Sequence, residues 1–299
     1  MTGSAMRRAL LIALLFAGCE GPDFAPSSIV RAPRVIAAVA TPAESTPGQD
    51  VRLSTVVASP DPVDHAVEWE IDLGVPALAA AAGQTLEGAP RVVRFEVVDG
   101  VARLPGEETR AAMDALSAAI DDAPLGTPEG VVRYVYETVG LTLLARFTLR
   151  VNGEIAMEGF KRIALSPAPS RLTNPPPPRF RVGEAWLSAR SGDPTVCAPE
   201  GDVPRVAPGE TVTLSPEPDE DWLETFPALD LEGQVITGRE DAYYSWFSTA
   251  GDFGFETTRP PGRDTEWTAP MEPGEVPIWL VVRDGHLGAS ACLGMIRVE

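Results

Sequence analysis

The sequence predicts a mainly β protein: two β-sandwich domains in tandem, the first interrupted by an insertion that contains one short helix. Three observations carry this. Thirty prolines and 27 glycines in 299 residues punctuate the chain too often for a helical bundle and suit short strands joined by turns. Around Trp69, the apolar residues Val67, Trp69 and Ile71 alternate with Glu68, Glu70 and Asp72, the period-two signature of a strand buried on one face. Finally, two distant stretches begin alike. Residues 47–53 and 208–214 each run a Pro-Gly turn into an alternating strand, and each is followed by a strand centred on tryptophan, at Trp69 and at Trp246.

The elements follow in order from the N-terminus. Arg7 and Arg8 precede a nine-residue apolar run over 9–17, then Gly18 and Cys19. A basic start, a short apolar run and small residues before a cleavage point read as an export signal, residues 1–18. The run is too short to span a bilayer, and the longest later apolar stretch, 73–83, is broken by Gly74 and Pro76. Residues 19–32 carry Pro22, Pro26, Ser27 and Ser28 and read as an extended tether.

The first domain is expected over 33–170. Two hairpin signals lie within it. Asp99-Gly100 separates strands at 92–98 and 101–104, and Asn152-Gly153 separates 141–151 from 154–165; both dipeptides favour the primed turns that match strand twist. From 107 to 121, Met113, Leu116 and Ile120 recur at helical spacing and Pro124 follows, so one helix is expected there, packed on the sandwich. Four consecutive prolines, 175–178, form a spacer of about 12 Å, which places a linker at 171–178; a proline-rich loop inside a single domain is the alternative. The second domain, 179–299, ends in an alternating strand over 276–283 and a hairpin through 284–288 that returns over 289–298.

Two resemblances add to this reading. Phe16-Ala17-Gly18-Cys19 resembles the lipobox of bacterial lipoproteins, departing from it by Phe16 where that family usually has leucine. The resemblance implies cleavage before Cys19, acylation of its sulfur and its new amine, and a stable lipid anchor. The Pro-Gly turns, tryptophan strands and closing hairpin resemble immunoglobulin-like and polycystic-kidney-disease-type domains, over most of 179–299 and more weakly over 33–72 with 130–165. Together they look like a myxobacterial-type surface lipoprotein with tandem immunoglobulin-like β-sandwich domains. One lysine, Lys161, against 23 arginines suits the GC-rich genome such a source implies. The expected location is the bacterial envelope, at the outer membrane rather than the inner one.

Three cysteines are odd for an exported chain. If Cys19 carries lipid, Cys197 and Cys292 remain as a candidate disulfide, with two separate buried thiols as the alternative. The net charge of −19 argues against phosphate-backbone binding, so no nucleic-acid partner is expected.

Signs of chemistry are sparse. His65 and His286 are the only histidines and read as solvated loop residues outside any nucleophile–base pattern. No phosphate-binding loop, dinucleotide fingerprint or nucleophile elbow occurs, so no enzyme activity, cofactor or metal is expected. Glu217, Asp219, Glu220, Asp221 and Glu224 crowd one segment with hard oxygen ligands, but Glu224 stands where an EF-hand loop needs glycine, and a solvated acidic loop is the simpler reading. Alternation that points Trp246 inward points Tyr243 and Phe247 outward, and Trp279 on the neighbouring strand with them. These three form the candidate ligand platform. The function expected is a lipid-anchored, non-catalytic binding or structural module, touching membrane lipid through its acyl chains and a protein or glycan of the envelope. A carbohydrate-binding lipoprotein using the platform, or an envelope-assembly subunit, are the alternatives.

Overall fold

The computed structural model describes residues 27–72, 92–95, 97–98, 100–120, 127–167, 172–217 and 220–299. The expected signal, Cys19 and the expected tether up to residue 26 lie outside them. The chain is mainly β and forms two sandwiches in tandem. The first contains strands β1 (Arg34–Thr41), β2 (Glu44–Ser45), β3 (Val51–Ala58), β4 (His65–Asp72), β5 (Val92–Phe95), β6 (Val97–Val98), β7 (Val101–Leu104), β8 (Leu141–Val151) and β9 (Glu154–Leu165). One sheet has the order β1-β3-β7-β6 and the other β2-β9-β8-β4-β5.

Alternation decides which side chains meet between the sheets. Along β8, Leu141, Leu143, Ala145, Phe147 and Leu149 are buried while Thr142, Leu144 and Arg146 are exposed. From the facing sheet come Val35, Ala40, Val51 and Leu53. Trp69 and Phe147 meet edge to face at 5.5 Å, a favoured aromatic geometry. The 152–153 hairpin forms as its dipeptide requires, with Asn152 and Gly153 at φ 50° and 86°, the left-handed region a type I′ turn needs.

The insertion holds two helices, α1 (Gly106–Ile120) and α2 (Pro128–Val139), where one was expected. Valine, tyrosine and threonine fill α2 and favour strands. Its ends nevertheless carry helix signals: Thr127 Oγ1 accepts from Gly130 N at 3.2 Å, Pro128 opens the first turn, and Gly140 ends it. Met113 of α1 and Val132 of α2 enter the sandwich core, so packing outweighs propensity.

The second sandwich contains β10 (Arg179–Val182), β11 (Ala185–Arg190), β12 (Asp193–Pro199), β13 (Arg205–Val206), β14 (Thr211–Glu217), β15 (Thr225–Leu229), β16 (Val235–Arg239), β17 (Tyr243–Ser248), β18 (Asp252–Phe253), β19 (Thr257–Thr258), β20 (Thr265–Thr268), β21 (Gly274–Arg283) and β22 (Ala289–Val298). Its strands follow the path β18-β20-β14-β10-β11-β12-β22-β21-β17-β19, with β13 also on β22 and β15–β16 a separate ribbon. Strand β12 joins the two layers, antiparallel to β11 and parallel to β22. Trp246, Trp267 and Phe180 lie at the centre of this core, with Phe180 edge-on to Trp246 at 5.7 Å.

The sandwiches also share a core. On β3, Val51 and Leu53 face inward while Val56 and Ala58 face the second sandwich. A bulge at Val35/Ala37 lets Ile36 and Ala37 both face that way, since an extra residue resets the alternation. The end of the expected tether is part of the same joint. Val30 N donates to Ser248 O at 2.7 Å, and the hydroxyls of Ser27 and Ser28 donate to the Glu256 carboxylate at 2.6 and 3.1 Å. Residues 27–30 are thus clamped rather than free.

Candidate functional site

Cys197 and Cys292 form a disulfide with a Cα–Cα distance of 5.4 Å, placed where β12 crosses from one layer to the other. Cys19 lies outside the described residues.

The expected aromatic platform is corrected by the joint. Phe247 and Trp279 are direct partners on β17 and β21, and both face outward from their own sheet, as alternation requires. Val30, Ile36, Ala37 and Ala58 cover them, leaving Trp279 only 4% exposed. Tyr243 is half-buried opposite Arg283. A second apolar sheet face has taken the surface that a ligand was expected to use, because burying two aromatic rings is favourable.

The two halves instead enclose a cleft of 390 Å³ beside this joint. Its walls come from β1 (Val35–Ala38), from β8 and β9 (Phe147, Phe160, Lys161, Arg162) and from the β21–β22 turn (283–289). The turn is held by Asp284, whose carboxylate accepts from His286 N at 2.7 Å and Gly288 N at 2.6 Å. Gly288 is required by close approach: a Cβ there would stand 2.9 Å from Pro175 Cδ and 3.1 Å from Asn174 Cα. The proline-rich segment therefore lies against the turn. Asn174 Nδ2 donates to Ala40 O at 2.8 Å, and Asn174 Oδ1 accepts from Ala289 N at 3.1 Å, so one amide bridges both sandwiches.

Cations converge on the cleft. Lys161 is 8% exposed and its ammonium donates to Leu287 O. Arg162 donates to His286 O at 2.9 Å. Arg283 donates to Ser245 Oγ at 2.9 Å and Ile36 O at 2.7 Å. Burial pulls the Lys161 ammonium down to about 8, with Asp284 pulling back and Arg162 and Arg283 adding to the fall. Burial also raises Asp284. His286 is not a solvated loop residue: its ring stacks on Phe226 at 3.7 Å, and burial, reinforced by Arg162 and Lys161, pushes it down to about 4. His65 is exposed at the start of β4.

Acidic groups gather behind the turn. Glu240 is 5% exposed, and burial pushes it up to about 7, aided by Asp284 and Glu224 against a hydrogen bond from Glu224 N. Glu240 Oε1 has no hydrogen-bond partner. Of the acidic segment named above, Glu217 accepts from Arg179 at 2.5 Å and Glu224 from Thr173 N at 2.7 Å; Asp219 lies outside the described residues. Among the described residues no group of three or more His, Cys, Asp or Glu could hold a metal ion, and no helix is long and apolar enough to cross a membrane.

The cleft was missed in the sequence because its lining residues stand at 35–38, 147, 160–162 and 283–289, and no local pattern joins them. The lone lysine was the one available signal.

No protein-family model matches the chain, and no curated protein matches it. Among solved structures, the D00-D0 domain of intimin is similar over 90% of this chain and 98% of its own, at 10% identity and a TM-score of 0.22. SGBP-B of the Bacteroides ovatus mixed-linkage glucan utilization locus, in complex with a mixed-linkage heptasaccharide, is similar over 90% of this chain and 47% of its own, at 11% identity and a TM-score of 0.22. The two tandem V-type regions of VCBP3, a v-region-containing chitin binding protein, match over 89% and 100%, at 11% identity and 0.27. At these scores the likenesses carry no argument about what this chain does.

Proposed function

We propose that the chain is an exported, lipid-anchored, non-catalytic module of the bacterial envelope, acylated at Cys19 and acting as a binding or structural unit at the membrane surface. In this reading residues 1–18 are the signal, 19–32 the lipidated tether, 33–170 and 179–299 the two domains, and 171–178 the linker. The observation that carries it is the lipobox-like Phe16–Cys19. Pairing of Cys197 with Cys292 is in keeping with it, since the acylation assigned to Cys19 competes with no bridge those two need. Eight residue-to-residue steps lead from Cys19 to Ser27, which is fixed to Glu256. At full extension they span about 28 Å. The anchor thus holds the C-terminal sandwich beside the lipid, although the tether belongs to the other end of the chain.

Metabolic labelling with a palmitate analogue tests the reading. The full chain should take up label and sediment with membranes, and Cys19→Ala should do neither. An unlabelled, freely soluble wild-type chain would overturn it.

A further inference from the structure

We infer that the cleft between the sandwiches is a binding site for a carboxylate carried on a six-membered ring, such as a uronic-acid residue of a glycan or a cyclic organic acid. The inference deepens the binding-module reading and rests on it, but it does not depend on the lipid anchor.

Charge is the first argument. The chain as a whole is strongly acidic, at −19, yet Lys161, Arg162 and Arg283 line one cleft against the single carboxylate of Asp284. Three positive charges and one negative leave a local excess of two. The hydrogen bonds of the three cations go to carbonyl and hydroxyl oxygens, which orient the groups without neutralising them. Asp284 is engaged by backbone N–H groups of its own turn. His286, held neutral at pH 7, adds no charge. A buried ammonium that lacks a bonded carboxylate is costly, and an ammonium has three donors, so Lys161 can accept a further anionic partner. An arginine fork beside it matches a carboxylate in two places.

Shape is the second argument. Phe160 stands at the mouth, 65% exposed, next to Lys161 and Arg162 on β9, and Val35, Ile36 and Phe147 complete an apolar wall. A volume of 390 Å³ lies in the range of small-molecule sites, which combine apolar walls with a few placed polar groups. A flat ring on Phe160, with its carboxylate turned toward Lys161 and Arg162, meets both requirements. The walls come from both sandwiches, so the site exists only when they are docked.

Isothermal titration of the full chain in detergent tests this with four probes. Glucuronate and cyclohexanecarboxylate carry the ring acid; glucose and cyclohexanol are their neutral counterparts. At least one acid should bind, and the neutral partners should bind at least about tenfold more weakly. Whichever acid binds tells a sugar source from a simple organic acid. Arg162→Gln and Phe160→Ala alter exposed side chains and should each weaken binding about fivefold or more while leaving the melting temperature in place. At pH 8, where Lys161 is about half protonated, the ligand carboxylate should draw a proton onto it, so the binding heat should vary with the buffer's ionisation heat. Equal binding of acid and neutral probes, binding untouched by Arg162→Gln, or no saturation up to about 10 mM, ten times a weak Kd of about 1 mM, would each overturn the inference. Labelling at Cys19 is read separately, so the failure of one proposal does not imitate the failure of the other.

Discussion

Arg283 donates to the carbonyl oxygen of Ile36 at 2.7 Å: a guanidinium rooted in the second sandwich satisfies a backbone group in the first. Ile36 is the residue skipped in the β1–β3 register, and a bulged residue leaves the ladder locally unpaired. The bulge that turns Ile36 and Ala37 toward the second sandwich thus creates a polar debt that the same joint settles.

Replacing Arg283 with Met should leave the Ile36 carbonyl buried without a partner. The expected loss is about 1–3 kcal/mol, the cost of an unsatisfied group, read by denaturant unfolding. Arg283→Lys should recover part of it.

Trp279 offers a sharper contrast. On an exposed platform, Trp279→Ala would leave stability nearly unchanged. Buried against Ile36, Ala37 and Ala58, it should cost about 3–5 kcal/mol. Small-angle scattering should then show the two sandwiches separating.

The disulfide links residues 95 apart. In the chain-entropy description a loop of that size is worth about 4–5 kcal/mol. The double variant Cys197→Ser, Cys292→Ser should lose stability on that order, and a reductant should lower the wild-type protein to the same level without affecting the variant.

Glu240 makes stability depend on pH in a definite direction. Its folded value, about 7, lies above its ordinary 4.5. Its contribution is therefore fully present below 4.5 and is lost as pH rises through 7. His286, lowered from 6.5 to about 4, acts in the opposite sense: its contribution is present above 6.5 and lost as pH falls through 4. The two overlap, so variants separate them. Glu240→Gln should be more stable than wild type at pH 8, on the order of 2 kcal/mol, and that advantage should vanish near pH 4.5. Melting curves across this range check it; an advantage independent of pH would contradict the assignment.

Much of the fold was legible in local pattern. The Asn152-Gly153 turn, the alternation around Trp69 and the closing hairpin over 289–298 appear where turn chemistry and period two place them, because each rests on residues close in sequence. Helix α2 was missed because Val131, Val132, Tyr134 and Val135 favour strands, while the deciding contact, Val132 in the sandwich core, comes from far along the chain.

The sequence by itself determined the strands that carry a clear turn or period-two signal, such as those over 67–72, 141–151, 154–165 and 289–298, and the cysteines available to pair. It also placed Phe247 and Trp279 outward from their sheet. Only the tertiary structure decided what lies on that outward face. Alternation states which side of a sheet a residue occupies but not what packs there, and the covering residues, Ile36, Ala37 and Ala58, sit some two hundred positions away. A clue was present in β3, where Val56, Val57 and Ala58 are apolar on both faces. The convergence of Lys161, Arg162 and Arg283 likewise required docking of the two sandwiches, since charge and burial at the cleft are properties of the joint and not of any one segment.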